Sequence, residues 1–173
     1  METWKEFDHN STSHSVAHHL MTIYDLLNDY GYARVTDVAK RLNITRGSAS
    51  LTIKSLKDKG LVGEDENRFL NLSEQSREIV EMIKQRRFAA FTFFTEVLGI
   101  SEKQAEIDAC KIEHLLSYET YEELTHFIDF TLSEKKTASV FLNQLENYRK
   151  SQKRTASSRS KKEKSSSNRF EKY

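Results

Sequence analysis

The sequence VTDVAKRLNITRGSASLTIKSLKDKG, residues 35–60, contains two amphipathic segments separated by a short polar turn. Its apolar residues recur at three- and four-residue intervals, which is typical of helices. Thr45 precedes the second segment as its predicted N-cap, and Gly60 follows as its C-terminal stop. We therefore predict a short helix over residues 35–44 and a longer helix that ends near residue 60.

The neighbouring segments complete a recognisable supersecondary pattern. Residues 61–73, LVGEDENRFLNLS, have two short apolar ends around a polar tip, which predicts a β-hairpin. A further helix is predicted before residue 31, where apolar residues recur at helical spacing. These apolar positions are Val16, Leu20, Ile23 and Leu27. A helix-turn-helix followed by a hairpin is a winged helix-turn-helix, a DNA-binding module.

The second helix of such a module enters the major groove, so its outward residues are the predicted DNA contacts. Arg46 is the candidate for a base contact, since its guanidinium can pair with O6 and N7 of guanine. Lys54, Lys57 and the wing residue Arg68 are candidates for phosphate contacts, although the acidic wing residues 64–66 would repel phosphate. A helical hairpin used for protein contacts is the alternative. The predicted DNA-binding set is Thr45, Arg46, Ser48, Ser50, Leu51, Lys54 and Arg68.

The remaining sequence predicts further helices and a basic tail. Helical patterns cover residues 74–98, 101–117, 118–130 and 133–149, and the last two expose aromatic residues and leucines. Residues 151–173 hold eight basic and two acidic residues among many serines, which predicts a disordered tail. Its charge would either attract DNA or only aid solubility. One cysteine, no signal peptide and no membrane-spanning run predict a cytoplasmic protein without a membrane partner.

The stretch DACKIEHLLS, residues 108–117, contains the single cysteine. On a helix, Cys110, Glu113 and His114 share one face, and thiolate, carboxylate and imidazole all ligate divalent transition metals. The first helix offers a second stripe, predicted to face away from the core. Its members are His14, His18 and Met21. A buried cysteine beside two solvated polar residues is the alternative.

Three segments carry a family resemblance: TIYDLLNDYGYARVTDVAKRLNI, SASLTIKSLKDKGLV and EVLGISEKQAEIDACKIEHLLS. Through them the sequence resembles the diphtheria toxin repressor and manganese transport regulator family of metal-dependent transcriptional regulators. The resemblance runs from about His14 to Phe130 and is closest to the short branch that lacks an SH3-like domain. It implies Cys110, Glu113 and His114 as ligands, with first-helix ligand positions at His18 and Met21.

Two departures from the family pattern affect the expected metal site. The family's histidine on the long helix falls at Arg87 or Phe88, neither of which binds metal, which implies a single site per subunit. His14 has no family counterpart. Imidazole and thiolate in place of carboxylates shift the preference away from Mn²⁺. Fe²⁺ is the expected metal, with Mn²⁺, Zn²⁺, Co²⁺ or Ni²⁺ as alternatives.

Together these observations predict a mainly α protein with a winged helix-turn-helix domain at residues 1–73. An all-helical metal-binding and dimerisation domain follows at residues 74–150, and the basic tail occupies residues 151–173. We expect a homodimeric repressor of metal homeostasis genes, with metal as co-repressor on a palindromic DNA operator. It is not expected to be an enzyme, since no general base lies beside an open coordination position. A winged-helix regulator that senses redox through Cys110 is the alternative.

Overall fold

The computed structural model describes residues 13–167, with side chains to residue 152, and this part of the chain is mainly α-helical. A two-stranded antiparallel hairpin lies between the third and fourth helices. The elements are α1 His14–Tyr30, α2 Val35–Leu42, α3 Arg46–Asp58, β1 Val62–Glu64, β2 Leu70–Leu72, α4 Glu74–Thr92, a π-helical turn Phe93–Val97, α5 Glu102–Ile112, α6 Tyr118–Thr131 and α7 Lys136–Ser167.

The segment from α2 to β2 forms the predicted winged helix-turn-helix. The Thr45 hydroxyl accepts a hydrogen bond from the Ser48 backbone N–H at 3.1 Å, so Thr45 is the N-cap of α3. Gly60 follows the end of α3 with a φ of 70°, a left-handed conformation that glycine adopts without strain. The buried face of α3 consists of Ala49, Ile53 and Leu56, as predicted.

Helix α1 is the central element of the N-terminal core. It contacts α2, α3 and β2, and it also contacts α4. Because neighbours cover more than one side of α1, its buried surface is wider than the predicted stripe and includes Ala17 and Met21. Met21 is only 8% exposed, so the prediction that it faces away from the core is wrong.

Helix α5 ends at Ile112, earlier than the predicted helix over residues 101–117. Glu113 keeps a helical hydrogen bond, from its N–H to the Ala109 carbonyl at 2.9 Å. The chain then turns. The Ser117 hydroxyl accepts a hydrogen bond from the Thr120 N–H, and this contact caps the start of α6. Glu113 and His114 therefore lie in the turn after α5, still next to Cys110.

The C-terminal basic segment differs from its prediction. Helix α7 continues to Ser167, so the predicted disordered tail is helical up to that residue, and residues 168–173 lie outside the described part. No glycine or proline interrupts residues 136–167, and their many lysine and arginine residues favour helix.

The chain divides into two compact units between Leu124 and Thr125. This division falls within α6, and the predicted domain limits at residues 73 and 150 stay predictions. In the described part, no helix is both long enough and apolar enough to cross a membrane.

Candidate metal centre and nucleic-acid interface

Imidazoles of α1 meet the thiol of α5. Nε2 of His18 lies 3.3 Å from Sγ of Cys110, although 92 positions separate the two residues in the sequence. The His14 and His18 rings lie with their centroids 4.3 Å apart. The ligand atoms of His14, His18 and Cys110 all lie within 4.8 Å of one another. Ligands of one tetrahedral ion lie roughly 3.3–3.6 Å apart, so the spacing of these three groups is only slightly wider than one ion requires.

Glu113 adds a carboxylate to this cluster. Its side chain is 0% exposed, and its Oε1 lies 3.8 Å from Nε2 of His18. Within the described part of the chain, this buried Oε1 accepts no hydrogen bond. Burial raises the pKa of Glu113 to about 7, although the Arg87 guanidinium opposes the rise. A buried oxygen that is left without a donor beside the His18 imidazole, which itself contacts the Cys110 thiol, fits the ligand set of a divalent cation.

The imidazoles and the thiol also have shifted pKa values. Burial lowers the pKa of His18, with a further contribution from His14, and it lowers the pKa of His114 in the same way. Burial raises the pKa of Cys110, as does the Glu113 charge. The ring of His114 lies 5.1 Å from the ring of His14. His18 and His114 are therefore neutral and available to ligate near neutral pH, whereas the thiol and the carboxyl release protons when they ligate.

The surroundings of Met21 and Arg87 in the fold differ from what the sequence predicted. Met21 is packed in the core and lines a groove that also includes Arg87. Arg87 pairs with Glu113, Nη1 to Oε2 at 3.3 Å, and its Nη2 pairs with Glu106. An arginine within α4 carries no local signal that would place it next to a residue of the turn after α5. Met21 as a ligand stays a prediction.

The predicted DNA-binding residues are all exposed. The six positions of the set in and before α3 are all exposed, and Leu51 is 72% exposed. Arg68 lies exposed at the hairpin tip with a φ of 62°. A groove of about 510 Å³ separates α3 from the wing, and Arg46, Ser50, Lys54 and Arg68 are among the residues that line it.

Two further residues of this groove, Arg34 and Asn67, were not predicted from the sequence. The Arg34 guanidinium lies over the Phe69 ring, 4.6 Å from its centroid, and this contact places it beside the wing. Its position directly before α2 is a local signal that could have identified it, because basic residues at the turns of a winged helix can approach phosphates.

The acidic wing residues have structural partners. Glu64 forms an ion pair with Lys57, so this lysine, a predicted phosphate contact, is already engaged. The Asp65 carboxylate accepts hydrogen bonds from the backbone N–H groups of Asn67 and Phe69 at 2.9 and 2.8 Å. These contacts shape the hairpin tip and offset part of the negative charge that would otherwise repel phosphate.

Comparison with known proteins gives consistent matches along the chain. Residues 11–68 match the model of the iron dependent repressor N-terminal DNA binding domain, and residues 73–138 match the iron dependent repressor metal binding and dimerisation domain. An uncharacterised HTH-type transcriptional regulator of Methanocaldococcus jannaschii is 31% identical over 118 residues, which are 68% of this chain and 94% of the relative. The regulator MntR of Lysinibacillus sphaericus is 26% identical over 114 residues, covering 66% of this chain and 81% of the relative.

A solved structure shares the fold. The crystal structure of T. acidophilum IdeR matches with a TM-score of 0.56 at 21% identity, over 64% of this chain and 52% of that chain. The chain therefore spans about half the length of this solved relative.

Proposed function

Because the chain belongs to the iron-dependent repressor family of metal-dependent transcriptional repressors, we propose that it is a homodimeric, metal-activated repressor of metal homeostasis genes. The family assignment confirms the resemblance identified from the sequence, and the members of this family are regulators, not enzymes. The proposed site of action is a palindromic DNA operator in the cytoplasm. The proposed co-repressor is a divalent transition metal, with Fe²⁺ as the first candidate.

One observation carries this proposal. Helices that are distant in the sequence bring the ligand atoms of His14, His18 and Cys110 within 4.8 Å of one another. The buried Glu113 oxygen beside His18 is the proposed fourth ligand, and His114 is a further candidate next to His14. A set of nitrogen, sulfur and oxygen donors suits Fe²⁺, Co²⁺ or Zn²⁺ better than Mn²⁺, which favours oxygen ligands.

The ligands act by connecting two helices. A divalent cation, when bound, supplies the positive charge that draws the thiolate and the carboxylate together with neutral imidazoles. His14 and His18 belong to α1, which packs against the helix-turn-helix, whereas Cys110 and Glu113 belong to α5 and the turn that follows it. Ligation therefore fixes α1 against α5. We propose that this restraint favours the arrangement in which both recognition helices of a dimer reach successive major grooves.

Dimer formation is proposed to bury apolar side chains that are exposed on the single chain. Phe88 on α4 is 71% exposed, and several aromatic and aliphatic residues of α6 and α7 are also exposed. Exposed apolar side chains of this kind are candidates for burial in a protein interface. The residues concerned on α6, directly after α6 and on α7 are Phe127, Phe130, Leu132, Val140, Phe141 and Tyr148.

The redox alternative has a physical argument against it. Reactive cysteines have lowered pKa values, because the thiolate is the species that is oxidised. Burial and the Glu113 charge instead raise the pKa of Cys110. The neighbouring His18 has a lowered pKa and supplies no imidazolium to stabilise a thiolate. The thiol is therefore better suited to ligation, in which a cation displaces its proton.

DNA binding with and without metal tests the proposal. A duplex selected from a random pool by Fe²⁺-loaded protein under anaerobic conditions serves as the ligand in fluorescence anisotropy. We expect wild-type protein to bind this duplex at least about fivefold more tightly with metal than with chelator. His18→Ala and Cys110→Ala should lose the metal response, and the control His126→Ala, an exposed imidazole of α6, should keep it. Equal wild-type affinity in both conditions would contradict the proposal.

A further inference from the structure

A second group of donor atoms lies beside the proposed metal cluster. A groove of about 680 Å³ is lined by residues of α1, α4 and α5, among them Met21, Asp25, Lys84, Arg87 and Glu106. It offers a thioether and two carboxylates, and the buried Glu113 carboxylate borders it through its contact with Arg87. The buried Glu113 carboxylate, when ionised, requires nearby positive charge.

Helix α4 supplies that positive charge from within the chain. Nζ of Lys84 lies 2.9 Å from Oδ1 of Asp25. One turn later, the Arg87 guanidinium pairs with Glu106 through one nitrogen and with Glu113 through another. The two basic side chains thus neutralise carboxylates from three different segments. The planar guanidinium suits the second position, because it presents several N–H donors in a fixed geometry.

We propose that Arg87 takes the place of a second cation and thereby limits the site to one divalent metal ion per chain. The guanidinium holds Oε2 of Glu113, which leaves Oε1 beside His18 for the metal cluster. Its charge repels any further divalent cation from the groove, and its two ion pairs occupy the carboxylates that such a cation would need. Arg87 is thus a positioning residue that also sets the stoichiometry.

A second consequence concerns the groove without this arginine. A neutral imidazole at position 87 would leave Glu106, the free Oε2 of Glu113 and Met21 next to a metal-ligating nitrogen. These groups form a donor set for a transition metal, since nitrogen, oxygen and thioether ligands all bind such ions. Arg87→His therefore converts the groove into a second metal site. The inference rests on the proposed function, because it takes Glu113 as a metal ligand.

Metal stoichiometry measured with Co²⁺ tests the inference. Native mass spectrometry and equilibrium dialysis give the number of ions per chain, and visible absorption reports the coordination of each ion. We expect one Co²⁺ per chain for wild-type protein, for Arg87→Lys and for the control Arg77→His, which adds an exposed imidazole on the same helix. We expect two for Arg87→His, with a new absorption component.

The outcomes separate the two proposals. Two Co²⁺ ions per wild-type chain, or one per Arg87→His chain, would overturn the role of Arg87 and leave the proposed function intact. No Co²⁺ on the wild-type chain would overturn both. Should Arg87→His fail to fold by circular dichroism, Arg87→Gln serves as the second variant, since it removes the charge and keeps the carboxylates. A second, weaker Co²⁺ site in that variant supports the inference, and its absence overturns it.

Discussion

Glu113 should destabilise the metal-free fold, and its replacement by glutamine should show by how much. The carboxyl is 0% exposed, and burial raises its pKa from 4.5 to about 7. Below pH 4.5 the group is protonated in both the folded and the unfolded chain, so it contributes no penalty there. As the pH rises, the unfolded chain ionises first, and the folded state loses stability until the pH passes about 7. The full penalty is about 3 kcal/mol, at about 1.4 kcal/mol per pKa unit.

Glu113→Gln removes this penalty. We expect the free energy of unfolding of the variant, relative to wild-type protein, to grow by about 2.5 kcal/mol between about pH 5 and about pH 8. Urea denaturation in the presence of a chelator, at one fixed protein concentration, measures the difference. The lowered pKa values of His18 and His114 make both proteins less stable as the pH falls, so the difference between the two proteins is the quantity to compare.

A matched control separates burial from the loss of an ion pair. Glu106 also pairs with Arg87, but its side chain is half exposed, so Glu106→Gln should show little pH-dependent gain. Glu113→Gln should also weaken Co²⁺ binding, because it removes a proposed ligand. A pH-independent stability difference for Glu113→Gln would refute the reasoning, since it would mean that the carboxyl is not desolvated in the fold.

Three further changes have defined outcomes. Cys110→Ser should weaken Co²⁺ binding about tenfold or more and remove the sulfur-to-cobalt charge-transfer absorption; an unchanged spectrum would exclude Cys110 as a ligand. Arg46→Ala should lower the affinity for the selected duplex by about 1–3 kcal/mol in anisotropy measurements, with Co²⁺ affinity unchanged. Replacing the six lysines and arginines of residues 151–167 by glutamine should reduce the salt dependence of DNA binding. The slope of log affinity against log salt concentration should become shallower by roughly 0.9 for each phosphate that this segment neutralises in the wild-type complex. An unchanged slope would show that the basic end of α7 does not bind DNA.

The winged helix-turn-helix was predictable because its signals are local. Thr45 caps the helix that follows it, and Gly60 ends that helix in a left-handed conformation. The hairpin pairs the two apolar ends of residues 61–73, with Val62 opposite Leu72. Each of these features depends on residues close in the sequence, so propensity and periodicity are sufficient to predict them.

The candidate metal centre was only partly predictable, because it depends on how distant helices pack. The ligand types and their helical spacing identified His14, His18 and Cys110, which the structure brings together. Met21 was misplaced because the sequence does not reveal that α4 also packs on α1. The ion pairs of Arg87 with Glu106 and Glu113 were not predicted, because contacts between α4 and α5 or the turn after it leave no trace in the local pattern. The helical extension of α7 was not predicted, because the charged, serine-rich composition of residues 151–167 is typical of disorder even though this segment contains no helix breakers.

The most direct test of the central claim is the Co²⁺ affinity of the full chain with and without the selected duplex. If metal binding and DNA binding favour the same arrangement, each ligand must tighten the other by the same factor. We therefore expect the duplex to increase Co²⁺ affinity by the factor by which Co²⁺ increases DNA affinity, about 5- to 150-fold for a typical coupling. Identical Co²⁺ affinities with and without DNA would contradict the account.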